Sequence, residues 1–77
     1  MARILIVEDD TDLRDMLNES LLQAGYHTGS VADIRAARDA LDSLPYDLIL
    51  LDWMLPDASG LQWLRKLRRE EQYTDMP

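Results

Sequence analysis

Short apolar runs alternate with amphipathic segments along this chain. Three runs resemble strands: residues 4–7, the more polar residues 26–31, and residues 47–52 with a Leu-Ile-Leu-Leu centre. After each run, apolar residues recur every three or four positions, which predicts three helices with one buried face, the last over residues 61–71. A repeated strand–helix order is typical of an α/β fold, in which right-handed crossovers join parallel strands.

Residues that typically begin or end helices lie at the boundaries of the predicted helices. Asp10 or Thr11 can cap the first helix, and Asp33 can cap the second. Gly25 is placed to end the first helix, because a left-handed residue is least strained as glycine. Pro45 ends the second helix, since proline cannot continue one.

The polarity of the three strands predicts their order in the sheet. Edge strands tolerate polar residues and central strands do not, so the polar second strand lies at an edge and the order is 2-1-3. The third strand shows no polar alternation, so both of its faces should be buried. Nothing in the sequence provides a strand for its outer side. We therefore expect residues 1–77 to be a partial domain, truncated after the third helix, unless a partner covers that edge.

Composition narrows the range of functions. Seventy-seven residues suffice for one small domain, and fifteen Asp and Glu against eight Lys and Arg give a net charge of −7. This charge disfavours a general binder of nucleic-acid phosphates but allows a local cation site. The absence of Cys excludes disulfides and thiolate metal sites. No apolar run could span a membrane and the N-terminus does not resemble a signal peptide, so we expect a cytoplasmic protein.

Acidic residues follow two of the three predicted strands. Glu8 and Asp9 come directly after the first strand, and Asp52 closes the third. In an open parallel sheet the ligand site lies beyond the carboxyl ends of the strands, where the strand order reverses, so these three acids should meet. Clustered carboxylates repel each other until protons or a cation are taken up. Oxygen ligands favour Mg²⁺, Mn²⁺ or Ca²⁺, and Mg²⁺ on one or two carboxylates is the usual arrangement.

A simpler interpretation accounts for some of these acids. Asp10 alone is a plain helix cap, and Glu8 with Asp9 could be a solvated strand end. The matching acid at Asp52 favours the metal site. The basic run at residues 65–69 is more typical of a solvated helix face than of a nucleic-acid site.

Three motifs together resemble the receiver domain of two-component response regulators. They are Ile4-Leu5-Ile6-Val7-Glu8-Asp9-Asp10, Asp47-Leu48-Ile49-Leu50-Leu51-Asp52, and Met54-Leu55-Pro56-Asp57-Ala58-Ser59-Gly60. The resemblance implies a flavodoxin-like open sheet and a phospho-accepting signalling switch that is not itself an enzyme. A histidine kinase would be the partner. The residues at 52–56 are similar to the branch with winged-helix outputs, so DNA would be bound only through an output domain outside this chain.

The resemblance also implies a role for each site residue. Asp52 would be the phospho-acceptor and, with Asp9, a direct Mg²⁺ ligand. Glu8 would bind the ion through water, and the backbone carbonyl of Met54 would complete the protein's share of the coordination. The family's Ser/Thr and Lys lie on a fourth and a fifth strand that residues 1–77 do not include.

Two other functions remain open at this point. A Mg²⁺-dependent phosphatase of the haloacid-dehalogenase type also uses an Asp after an apolar strand, although it resembles D-x-D and Met stands at position 54. A non-enzymatic pairing module would use only the exposed edge of the third strand. Whatever the function, we expect residues 1–77 alone to form a dimer or larger assembly around the third strand, or to be partly unfolded.

Overall fold

A computed structural model describes residues 2–52, 55, 59–70 and 77. Strands and helices alternate as predicted. The elements are β1 (Arg3–Val7), α1 (Thr11–Gln23), β2 (His27–Val31), α2 (Ile34–Ser43), β3 (Leu48–Leu51) and α3 (Gly60–Arg68). β1 begins one residue earlier than predicted, β2 is one residue shorter and β3 is two residues shorter. α3 begins one residue earlier than predicted and ends three residues earlier.

The helices begin at side chains that accept a hydrogen bond from the first turn. Asp10 accepts from the Leu13 amide at 3.1 Å, and Asp33 accepts from the Ala36 amide at 2.7 Å. These bonds satisfy amides that have no partner within a helix, so both predicted caps are confirmed. Gly25 follows the end of α1 with φ of 96°, the left-handed geometry expected of it.

The strands form one parallel sheet in the order β2-β1-β3, which confirms the prediction. β1 pairs on both sides, and Val7 lies opposite Val31 on β2 and opposite Leu51 on β3. The carboxyl ends of all three strands therefore meet at one edge of the sheet.

The main core lies on one face of β1. Leu5 and Val7 are fully buried there against side chains from α2, α3 and Leu55. Successive residues of a strand point to opposite faces, so Ile4 and Ile6 serve the other face, where α1 lies. α1 is less enclosed than α2, and no residue of it is buried.

An ion pair also joins α2 to Glu70, which lies two residues beyond the end of α3. The Arg38 guanidinium donates two hydrogen bonds to the Glu70 carboxylate. The hydrogen bond from Arg38, together with its positive charge, holds the pKa of Glu70 below its ordinary value. Both side chains are partly exposed, so this ion pair contributes only modestly to the stability of the fold.

β3 is less buried than its sequence predicts. Leu50 is 36% exposed and the other three residues of β3 are half-buried. Among the described residues β1 is the one strand that pairs with β3, which leaves the outer edge mostly uncovered. The expectation that nothing lies on this edge is also wrong at one point, because the Ile49 amide donates to the Pro77 carbonyl at 3.1 Å.

Gly29 on β2 makes room for Tyr46. A Cβ at position 29 would overlap the Tyr46 hydroxyl and lie 3.1 Å from its Cζ. We expect Gly29→Ala to lower the free energy of unfolding by about 1–3 kcal/mol, as other overpacked sites do. Urea denaturation measures this difference.

Tyr46→Phe is the matched second change for this test. It removes the oxygen that a Cβ at position 29 would meet first, so the double variant should recover part of the lost stability. Additive losses in the double variant would show that the two residues are not coupled.

Candidate metal and phospho-acceptor site

Three carboxylates converge at the carboxyl end of the sheet. Glu8, Asp9 and Asp52 each offer an oxygen, and these oxygens lie within 4.8 Å of one another. The structure thus brings together the three acids predicted from the sequence. Glu8 and Asp52 are half-buried, and Asp9 is exposed.

The sheet itself fixes two of these residues. The Glu8 amide donates to the Val31 carbonyl at 3.0 Å, and the Asp52 amide donates to the Val7 carbonyl at 3.0 Å. Both bonds extend the parallel ladders by one residue beyond the strands. The two acids are therefore held by the backbone before any ligand binds.

The cluster disfavours full ionisation. Burial raises the pKa of Glu8 above its ordinary value, and the charge of Asp52, a hydrogen bond with Asp52 and the charge of Asp9 add to this effect. The Asp10 amide, which donates to Glu8 Oε1 at 3.4 Å, acts in the opposite direction. The neutral form of Glu8 is therefore favoured more than that of a free glutamate, and a cation bound among the three acids would act in the opposite direction.

Carboxylate oxygens are the ligands that Mg²⁺ prefers in proteins. The three acids and their spacing fit this ion, and one side of the cluster remains open to solvent through Asp9. A cavity of about 220 Å³ adjoins Glu8 and Asp52, and its other walls are formed by the apolar residues Ile6, Val7, Leu17, Leu50 and Leu51. These walls lower the dielectric constant on the inner side of the cluster and strengthen its electrostatics.

One sequence prediction near the cluster, the Met54 carbonyl as a ligand of the ion, lies outside the described residues. One contact was not predicted from the sequence: the Arg14 guanidinium donates to the Glu8 carbonyl at 3.0 Å. The six-residue separation carries no recognisable signal, because it depends on how α1 turns back over the end of β1.

Among the described residues, no helix is both long and apolar enough to cross a membrane.

The chain is similar to known response regulators. Residues 4–77 match the response regulator receiver domain. The phosphate regulon transcriptional regulatory protein PhoB of Escherichia coli is 43% identical over 75 residues, which cover 97% of this chain and 33% of PhoB. The chain thus spans about a third of the length of this relative.

Solved structures show the same fold. The chemotaxis response regulator CheY4 of Vibrio cholerae is 31% identical with a TM-score of 0.94, over 100% of this chain and 64% of CheY4. TrrA of Thermotoga maritima, solved in complex with Mg²⁺–BeF, is 33% identical with a TM-score of 0.85, over 94% of this chain and 63% of TrrA.

The fold and the acidic site define a receiver domain with a flavodoxin-like open sheet. The chain belongs to the family of response regulator receiver domains. Receiver domains bind Mg²⁺ at an acidic pocket, and the three carboxylates form such a pocket here.

We expect Asp9→Asn to weaken Mg²⁺ binding about tenfold or more, because it removes a charge and a ligand oxygen from the cluster. Isothermal titration calorimetry with MgCl₂ measures the affinity. Asp15→Asn is the matched control, since Asp15 is an exposed acid on α1 that lies outside the cluster. Equal loss of affinity in both variants would contradict the role of Asp9 and point to general electrostatics.

Proposed function

We propose that this chain is the phospho-accepting part of a two-component signalling switch, with Asp52 as the acceptor. The observation that carries the proposal is the meeting of Glu8, Asp9 and Asp52 within 4.8 Å at the carboxyl end of a parallel sheet. The match of residues 4–77 to receiver domains supports it.

The surroundings of the three acids favour Asp52 as the nucleophile. Its amide is held by the Val7 carbonyl, and it stands half-buried beside an apolar wall. Asp9 is exposed, which suits a ligand that an ion reaches from solvent. Burial and the neighbouring acids raise the pKa of Glu8, so its charged form is less favoured than that of an ordinary glutamate.

The proposed reaction is a transfer of a phosphoryl group to oxygen. A carboxylate oxygen of Asp52 attacks phosphorus, the P–N bond of a kinase phosphohistidine breaks, and the imidazole nitrogen takes up a proton as it leaves. Mg²⁺ would neutralise the charge on the phosphoryl oxygens when bound. Asp9 and Asp52 would bind the ion directly, Glu8 through water, and Met54 with its backbone carbonyl.

The partners follow from the same proposal. TrrA has also been solved in complex with the histidine kinase ThkA, which supports a sensor kinase as the phosphoryl donor here. PhoB is named a transcriptional regulatory protein, which supports a transcriptional output through a DNA-binding domain. The chain itself would act as an acceptor in the cytoplasm, with at most self-catalysed transfer and autodephosphorylation.

The alternative of a haloacid-dehalogenase phosphatase is not favoured. That class resembles D-x-D at its nucleophile, and the residue two positions after Asp52 is Met54. The family match of residues 4–77 is to receiver domains.

We expect Asp52→Asn to abolish phosphorylation by acetyl phosphate and Mg²⁺ and to leave the fold intact, because the side chains are nearly the same size. Intact-mass spectrometry detects the added phosphoryl group, and circular dichroism checks the fold. Asp42→Asn is the control, because Asp42 is an exposed acid on α2. Phosphorylation of the Asp52→Asn variant to the same extent as the unaltered protein would falsify Asp52 as the acceptor.

We also propose that residues 1–77, prepared alone, self-associate through β3. Among the described residues, β3 pairs with β1 on one side, and Leu50 is 36% exposed. An uncovered strand edge with apolar side chains is a template for pairing with another chain. On this edge the Pro77 carbonyl accepts a hydrogen bond from the Ile49 amide, which covers one backbone group of β3.

Sedimentation velocity over a range of concentrations tests this association. We expect a concentration-dependent dimer that Leu50→Lys shifts to monomer, because a charge on the edge opposes pairing. Leu22→Lys is the matched control, since Leu22 is an exposed leucine on α1. A folded monomer at every concentration would rule out the β3 interface.

A further inference from the structure

Arg14 connects helix α1 to the acidic site. It is the fourth residue of α1, and its Nη1 donates to the Glu8 carbonyl at 3.0 Å in a partly buried position. The contact spans the short connection between β1 and α1, which carries Glu8, Asp9 and Asp10. A side chain of the helix thus supports the backbone of the loop that bears two of the three acids.

The Glu8 carbonyl lies where the sheet ladder ends. The Glu8 amide still donates across the sheet to the Val31 carbonyl. Beyond Val31 the chain leaves the sheet and enters α2, with Asp33 as its cap. A carbonyl at such a position needs a donor from elsewhere, and Arg14 supplies it.

Holding the Glu8 carbonyl also fixes the orientation of the Asp9 backbone amide. The peptide unit is planar, so the direction of the Glu8 carbonyl sets the direction of the Asp9 amide. On the other side of Asp9, Asp10 is held as the cap of α1 through its bond to the Leu13 amide. Asp9 therefore stands between two anchored residues although its own side chain is exposed.

We propose that Arg14 is a positioning residue for the metal site, and this rests on the proposed Mg²⁺ binding at Glu8, Asp9 and Asp52. By holding the Glu8–Asp9 peptide unit, Arg14 keeps the Asp9 carboxylate directed towards Glu8 and Asp52. The arrangement then exists before the ion arrives, so binding requires less ordering of the loop. Groups that orient metal ligands from outside the coordination sphere typically change the affinity 10–100-fold when removed.

Arg14→Met tests this role. Methionine keeps a long apolar side chain and favours helices, but it has no hydrogen-bond donor. We expect about a tenfold weaker Mg²⁺ affinity by calorimetry. In the metal-free protein the amides of Asp9 and Asp10 should exchange their hydrogens faster, while those of β3 stay unchanged. Arg14→Lys should recover part of the affinity, since it keeps one charged donor. Arg65→Met, the same change at an exposed position on α3, should have no effect.

The outcomes separate this inference from the proposed function. Should Arg14→Met fail to fold by circular dichroism, Arg14→Leu replaces it with the same expectation, because leucine also favours helices and has no donor. Unchanged affinity and unchanged amide exchange in the folded variant would overturn the role of Arg14, provided that the unaltered protein binds Mg²⁺. Absence of Mg²⁺ binding by the unaltered protein would instead overturn the proposed function.

Discussion

The two-sided pairing of β1 is the constraint on which the rest of the molecule depends. β1 is hydrogen-bonded to β2 and to β3, and its Leu5, Ile6 and Val7 are fully buried. Since both ladders are parallel and in register, the residues that follow β1 and β3 arrive at the same edge. The site is thus a direct consequence of where β1 ends.

This convergence carries an electrostatic penalty. Two unit charges about 4 Å apart repel by about 4 kcal/mol at an effective dielectric constant of 20, and three carboxylates meet here. The sheet resists their separation, because the Glu8 and Asp52 amides are bonded to neighbouring strands. Burial raises the pKa of Glu8, and the charges of Asp52 and Asp9 add to this effect. A divalent ion among the three carboxylates would relieve their repulsion.

The two faces of the sheet are covered unequally. On one face, α2 and α3 enclose Leu5 and Val7, and an ion pair joins Arg38 of α2 to Glu70, just beyond the end of α3. On the other face, α1 leaves its own Leu13 and Met16 exposed and a cavity between Leu17 and Leu50. The acidic site lies at the end of this more open side, so its inner wall is apolar while Asp9 faces solvent.

Local signals in the sequence determined the helices of this protein and the residues at which the first two of them begin and end. Helical spacing, the caps at Asp10 and Asp33, and the glycine at position 25 act over a few residues, so they can be recognised without a fold. The strand order and the meeting of Glu8, Asp9 and Asp52 also followed, because parallel strands align their carboxyl ends. The partial exposure of β3, the return of Pro77 to its edge and the bond from Arg14 to Glu8 were decided by tertiary structure. Each depends on how elements distant in the chain pack in space, and no residue type or spacing encodes that arrangement by itself.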